Sequence, residues 1–233
     1  PCVPPDFIEG QSDAGPRGDM VYEVDWIVGQ IRETLENYGV LDDTLFIVTS
    51  DNGARTTCFN GKDYGHKSNG SWRGQKADIW DGGHREPLIA RWPSRISSGT
   101  VSDETVCLID LLPTAAGLLD EKLPEKAGED SYDMSPLLLD EDFEGPLREA
   151  TVHYSGEGHF GIRKGPWKMI VKGGSGGFTE PVIVQPEPGD PEGQLYNLEK
   201  DPGEENNLWL ERQDVVYHLR DLLEKYKWEG RSS

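Results

Sequence analysis

The chain has 233 residues, with 43 acidic against 23 basic side chains and a formal net charge of −20 at pH 7. A field of that sign repels nucleic-acid phosphates and anionic membranes, which argues against both as general partners. No apolar run reaches the ~18 residues of a membrane span, and no basic stretch followed by an apolar one marks a signal peptide. The length allows one large domain, or one and a half smaller ones, around a buried core. Cys2, Cys58 and Cys107 lie far apart with no Cys-x-x-Cys pair, which speaks against a zinc site or a disulfide scaffold; one disulfide and one free thiol stay open.

The opening, PCVPPDFIEG, carries no initiator Met and begins in irregular Pro-rich sequence, as expected of a fragment or a processed chain. Asp19 is expected to cap a helix running to about Tyr38. Val21, Val24, Val28, Ile31 and Leu35 fall at helical spacing, so one apolar stripe should face a core, and Gly39 supplies the stop. An N-cap Asp after a Gly accounts for the Arg17-Gly18-Asp19 tripeptide better than adhesion does. Residues 44–49 are β-branched and apolar without alternation, the pattern of a strand buried on both faces in a parallel sheet. A second strand is expected over 87–92. Asp110 is expected to cap a helix to Leu119, with Pro113 tolerated in its first turn.

From 120 to 145 acidic residues dominate and Pro and Gly interrupt, which suits a surface connector. The texture then changes to short strands at ATVHYS, FGIRKGPWKMIV and QLYNL, followed by an amphipathic helix with Val215, Leu219, Leu222, Leu223 and Tyr226 on one face. The GGSGG run at 173–177 is expected to be a hairpin loop. The fold class is therefore α/β: part of a mostly parallel sheet flanked by helices over 1–145, then a small α+β subdomain with an antiparallel sheet and one helix over 146–233.

Ligands of open α/β sheets bind beyond the carboxyl ends of the strands, which is where Asp51 and Asn52 stand. Asp-Asn-Gly is an ordinary turn sequence, yet a carboxylate beside an amide oxygen is also a pair of hard donors of the kind a divalent cation takes. Lys76, in RGQKADIWDGG, could be a solvated surface cation or a point charge for an anion. Arg73 and Arg85 more readily tie loop backbone together. His66 shares the glycine-rich loop, and no pair of histidines has metalloprotease spacing. Asn69-Gly70-Ser71 is a glycosylation sequon read as a chance match.

The segments VDWIVGQIRETLENYGVLDDTLFIVTSDNG, GHKSNGSWRGQKADIWDGGHREPLIARWP, IDLLPTAAGLL, IRKGPWKMIV and LYNLEKDPGEENNL, in that order, resemble the formylglycine-dependent sulfatases of the alkaline phosphatase superfamily over nearly the whole chain. The resemblance implies an alkaline-phosphatase-like sheet and a sulfate ester substrate. It also implies a divalent cation, usually Ca²⁺, held in part by Asp51 and Asn52, with Lys76 binding the sulfate and His66 a weaker candidate near the leaving oxygen. It further implies a formylglycine made from a Cys/Ser-x-Pro-x-Arg motif, which these residues do not contain. Cys2-Val3-Pro4-Pro5-Asp6 lacks the Arg and stands in the wrong place. The expectation is a C-terminal portion that hydrolyses nothing alone, from a periplasmic or secreted enzyme acting on sulfated carbohydrates. The alternatives are a phosphoester or phosphonate hydrolase of the same superfamily, or a non-catalytic binding module.

Overall fold

The computed structural model describes residues 4–56, 64–139 and 143–233. Cys2 and Cys58 lie outside the described residues, whereas Cys107 is a half-buried free thiol whose pKa burial pushes up. The first element, α1, is the helix Gly15–Asn37, and Gly39 at φ +69° ends it as expected. Asp19 does not cap it. The helix starts a turn earlier, where Pro16 presets the first turn. Asp19 is instead buried inside α1 and accepts hydrogen bonds from the N–H groups of Gly10 (3.0 Å) and Ser12 (2.8 Å). That burial also removes the Arg17-Gly18-Asp19 carboxylate from any adhesive role. The apolar stripe of α1 does not face a core among the described residues: Val21, Val24 and Ile31 are exposed, and Val28 and Leu35 are half-buried.

Strand β1 (Phe46–Thr49) pairs with β2 (Leu88–Arg91), and the two run antiparallel, Phe46 opposite Arg91 and Thr49 opposite Leu88. The parallel sheet expected from residues 44–49 is therefore not found among the described residues. An unbroken apolar run records that both faces of a strand are covered to some degree, and carries no information on the direction of its neighbour.

Helix α2 (Leu111–Leu118) follows a single 3₁₀ turn, and Asp110 makes no side-chain cap to it. Its carboxylate is fully buried and accepts from the N–H groups of Cys107 (2.7 Å) and Tyr132 (2.9 Å) while pairing with Arg148. The acidic stretch that follows holds the one-turn helix α3 (Ser135–Leu138).

Strands β3 (Thr151–Tyr154), β4 (Phe160–Lys164), β5 (Trp167–Ile170) and β6 (Gln194–Asn197) form a four-stranded antiparallel sheet in chain order. Helix α4 (Gln213–Glu229) lays Val216, Leu219, Leu222, Leu223 and Tyr226 against it, and these meet Ile162, Met169, Leu195 and Trp209 in the main core. Each such side chain fully buried stabilises the fold by roughly 1.5–3 kcal/mol.

The 173–177 run lies, as expected, in the hairpin connection between the antiparallel neighbours β5 and β6, near the start of a long loop in which Gly173 bridges to Val184. A second apolar cluster, Ile79, Trp80, Ile170, Tyr196 and Leu198, joins the glycine-rich loop to this sheet. No helix among the described residues is long and apolar enough to cross a membrane.

Candidate active site

Beyond the end of β1 the chain turns through Asp51, Asn52 and Gly53. The Ser50 hydroxyl donates to the Asn52 carbonyl (3.1 Å), and the Asn52 amide donates to that of Gly53 (3.2 Å). Gly53 is buried, and its N–H donates to the Gly83 carbonyl (3.1 Å). A Cβ there would stand 1.8 Å from the Gly82 carbonyl oxygen, so only glycine fits. These contacts fix the Asp-Asn turn against the 81–83 turn.

The next residues run beside the segment that carries Lys76. The Lys76 N–H donates to the Ala54 carbonyl (3.3 Å) and the Thr56 N–H to the Gln75 side-chain carbonyl (3.0 Å). Asn69 completes the joint: its carbonyl accepts from the Ala54 N–H (3.0 Å), and its amide donates to the carbonyls of Ala54 (2.9 Å) and Gly74 (3.0 Å). The fold thus sets the Lys76 backbone against Ala54, two residues after Asn52, and Asp51 and Lys76 are both exposed. His66 is also exposed, and no contact among the described residues ties it to this group.

The far side of Lys76 is braced by the connection between β5 and β6. Ala77 sits at φ +75°, an unusual backbone for a residue with a side chain. Gly177 packs on it so closely that a Cβ would lie 2.4 Å from the Ala77 carbonyl carbon. The fully buried Asp78 accepts from the N–H groups of Gln75 (2.9 Å), Phe178 (2.7 Å) and Thr179 (3.0 Å) and from the Thr179 hydroxyl (2.5 Å).

Below the site lies a buried charge cluster. Lys168 of β5, with no exposed surface, reaches Asp81 at 2.7 Å and Glu204 at 2.9 Å. Only the contact with Asp81 has hydrogen-bond directionality, so Glu204 interacts with Lys168 as a charge. Burial pushes the Asp81 carboxyl up, but Lys168, Arg163 and His153 outweigh it and hold the group at about 2. For Glu204, burial and the Asp81 charge prevail over Lys168 and raise the pKa. The His84 and His153 rings meet at 4.4 Å between centroids, tilted 56° to one another. Burial, then Lys168, lowers His84 to about 4, and the same two causes with His84 itself hold His153 well below the ordinary imidazole range.

Arg73 and Arg85 are structural, as the sequence suggested. Arg73 stacks on Trp80 at 3.7 Å and donates to the Glu204 carbonyl (2.6 Å). Arg85 stacks on Trp72 at 3.9 Å and pairs with Asp81 at 3.4 Å.

The donors present suit a hard cation in part. Asp51 and Asn52 offer a carboxylate and an amide oxygen. Glu86 stands close enough that its own burial and the Asp51 charge push it up to about 7, a concentration of negative charge that a divalent cation relieves. Among the described residues no cluster of three or more His, Cys, Asp or Glu side chains is gathered for a metal, so these donors amount to part of a set. The clamping residues Asn69, Gln75 and Asp78 were not singled out from the sequence as site residues. Asn69 drew notice only as a sequon, although its amide nitrogen is engaged by two carbonyls.

The sulfatase family model matches residues 4–121. The chain is 34% identical to an N-acetylgalactosamine-6-O-sulfatase of Bacteroides thetaiotaomicron over 97% of its own length and 45% of that protein's. It therefore spans about half the length of the curated relatives it matches. A solved sulfatase structure from work on the metabolism of multiple glycosaminoglycans by B. thetaiotaomicron superposes with a TM-score of 0.82 at 33% identity, covering 97% of this chain and 48% of the other. A second, crystallised with k-i-k-neocarrahexaose, gives a TM-score of 0.75 at 25% identity over 100% of this chain and 48% of the other. With the family model and the full-span relative in agreement, the chain belongs to the sulfatase family.

Proposed function

We propose that the whole protein to which these residues belong hydrolyses sulfate esters, and that Asp51, Asn52 and Lys76 hold the transferred group. The observation that supports this is the backbone joint between Lys76, an exposed residue, and Ala54, which follows the Asp-Asn turn. Lys76 would pair with a sulfate oxygen and keep it oriented. Asp51 and Asn52 would supply oxygen ligands to a divalent cation, Ca²⁺ by family resemblance. When bound, that cation polarises the sulfate oxygens and stabilises the charge that builds on them. The nucleophile, by the same resemblance a formylglycine, has no motif in these 233 residues. Taken alone they are expected to turn over no 4-nitrophenyl sulfate.

A sulfated carbohydrate is the proposed substrate class, supported by the N-acetylgalactosamine-6-O-sulfatase likeness and by the similar structure that holds k-i-k-neocarrahexaose. The test is hydrolysis of 4-methylumbelliferyl sulfate by the whole protein. Lys76→Ala is expected to lower kcat/KM by roughly 10²–10³, and chelation to abolish turnover until Ca²⁺ is restored. A preference for the matching phosphate ester, or turnover by the 233 residues alone, overturns the reading.

A further inference from the structure

Lys168 and Glu204 have no exposed surface, so neither reaches a substrate directly. Both act on the 81–83 turn. Glu204 accepts from the Asp81 N–H at 2.6 Å through one carboxylate oxygen and faces Lys168 at 2.9 Å through the other. Its main-chain carbonyl accepts from Arg73 (2.6 Å), and the Arg73 carbonyl in turn accepts from the Gly82 N–H (2.7 Å). Glu204 makes these contacts at φ +52°, a left-handed backbone that glycine takes without strain. A side chain retained in such a backbone, with its two oxygens turned to the Asp81 N–H and to the ammonium paired with Asp81, fixes where the turn sits.

That turn has no slack against the two segments of the site. On one side Gly53, directly after Asn52, meets Gly82 and Gly83 backbone to backbone. On the other, a Cβ on Gly82 would lie 2.6 Å from the Gly74 carbonyl oxygen. One on Gly83 would lie 2.9 Å from that of Gln75, the residue before Lys76. Backbone packed on backbone has no side-chain rotamer to absorb a shift. A displacement of the 81–83 turn is therefore passed to the Asp-Asn turn and to the Lys76 segment alike.

We propose that Glu204 is a positioning residue for the site. Acting through the 81–83 turn, it sets how the Asp51-Asn52 pair stands relative to the Lys76 segment, and so tunes the hold on the cation. The proposal rests on the reading of Asp51 and Asn52 as cation ligands.

The test is Ca²⁺ binding to the whole protein by titration calorimetry, at a temperature where circular dichroism shows every variant folded. Glu204→Gln keeps the size of the side chain but has one acceptor oxygen for two donors, so its amide nitrogen is set against Lys168 or the Asp81 N–H. It is expected to weaken Ca²⁺ binding roughly tenfold. Leu219→Ala, in the core between α4 and the sheet, is the control for lost stability alone and should leave the affinity within about twofold. An unchanged affinity in Glu204→Gln, or an equal loss in Leu219→Ala, overturns the proposal. If the wild type binds no Ca²⁺, the cation reading fails, and the positioning is read by hydrogen exchange of the same proteins. Exchange in Glu204→Gln that quickens at residues 51–56 and 74–83 by a larger factor than in α4 supports it, and a uniform change or none overturns it.

Discussion

Asn69 uses its side-chain carbonyl and its amide nitrogen in three hydrogen bonds, two of them to one residue, Ala54, whose neighbours form the Asp-Asn turn. Asn69→Ala leaves the polar groups of Ala54 and Gly74 without these partners, a loss of about 1–3 kcal/mol where they are shielded from water. It also frees the turn from the Lys76 segment. A lower melting temperature and a lower kcat/KM are the expected outcomes, read by calorimetry and by sulfate-ester hydrolysis. Asn69→Asp keeps the shape but sets acceptor oxygens against two carbonyls, so it should be worse than Ala in both readouts.

The sequence made Asp51, Asn52 and Lys76 legible because a strand end and a glycine-rich loop are local signals. The residues that join them were not legible in the same way. Asn69 acts across fifteen positions, and Asp78 reaches Phe178 across one hundred, separations at which a single sequence carries no pairing signal.

At the level of elements, β5 shows how far alternation can mislead. Lys168 stands between Trp167 and Met169 in a short strand, where a lysine is ordinarily solvated, yet its ammonium is buried between Asp81 and Glu204. Lys168→Met removes the only cation that an ion pair sets on either Glu204 or the buried face of Asp81 among the described residues, Arg85 touching Asp81 from the exposed side. It is expected to destabilise the protein by about 3–5 kcal/mol in urea titrations; a change below about 1 kcal/mol would contradict this account of the cluster.

The order β3 to β6 was readable as short runs parted by turn residues, and α4 as a single apolar stripe. The direction of β2 against β1 was not, nor was the docking of the connection after β5 on the Lys76 segment, where the Ile79 N–H donates to the Ser175 carbonyl at 2.8 Å. Asp19 and Asp110 resembled helix caps because both precede apolar periodicity. Each is instead a buried carboxylate that gathers backbone N–H groups from neighbouring loop segments.

For the molecule as a whole, the tilted ring pair of His84 and His153 contributes a loss of stability in acid. Both have folded-state pKa values below the ordinary 6.5, His84 at about 4. Below pH 6.5 the unfolded chain therefore binds protons that the native state refuses. Stability is fully present above that pH and lost as pH falls through 6.5 toward 4. Asp81, held at about 2, adds its own loss only below its unfolded value of 3.8. Glu86, raised to about 7, and Glu204, also raised, act in the opposite sense as pH falls through the same window. The histidine contribution is therefore read as a difference: between pH 7.5 and 5 the melting temperature of His153→Phe should fall less, or rise more, than that of the parent, and identical pH profiles of the two proteins would rule this out.

The cluster around Lys168 also sets a clock on synthesis. Asp81 and Glu204 are 123 positions apart in the chain. At about 5–20 residues per second the ribosome releases the second roughly 6–25 s after the first. Through that interval Asp51, Asn52 and Lys76 are already outside the ribosome while the groups that lock the 81–83 turn beneath them are not yet made. The support beneath the Asp-Asn turn is thus completed late, when β5, β6 and the segment around Glu204 arrive, although residues 51–76 emerge well before them.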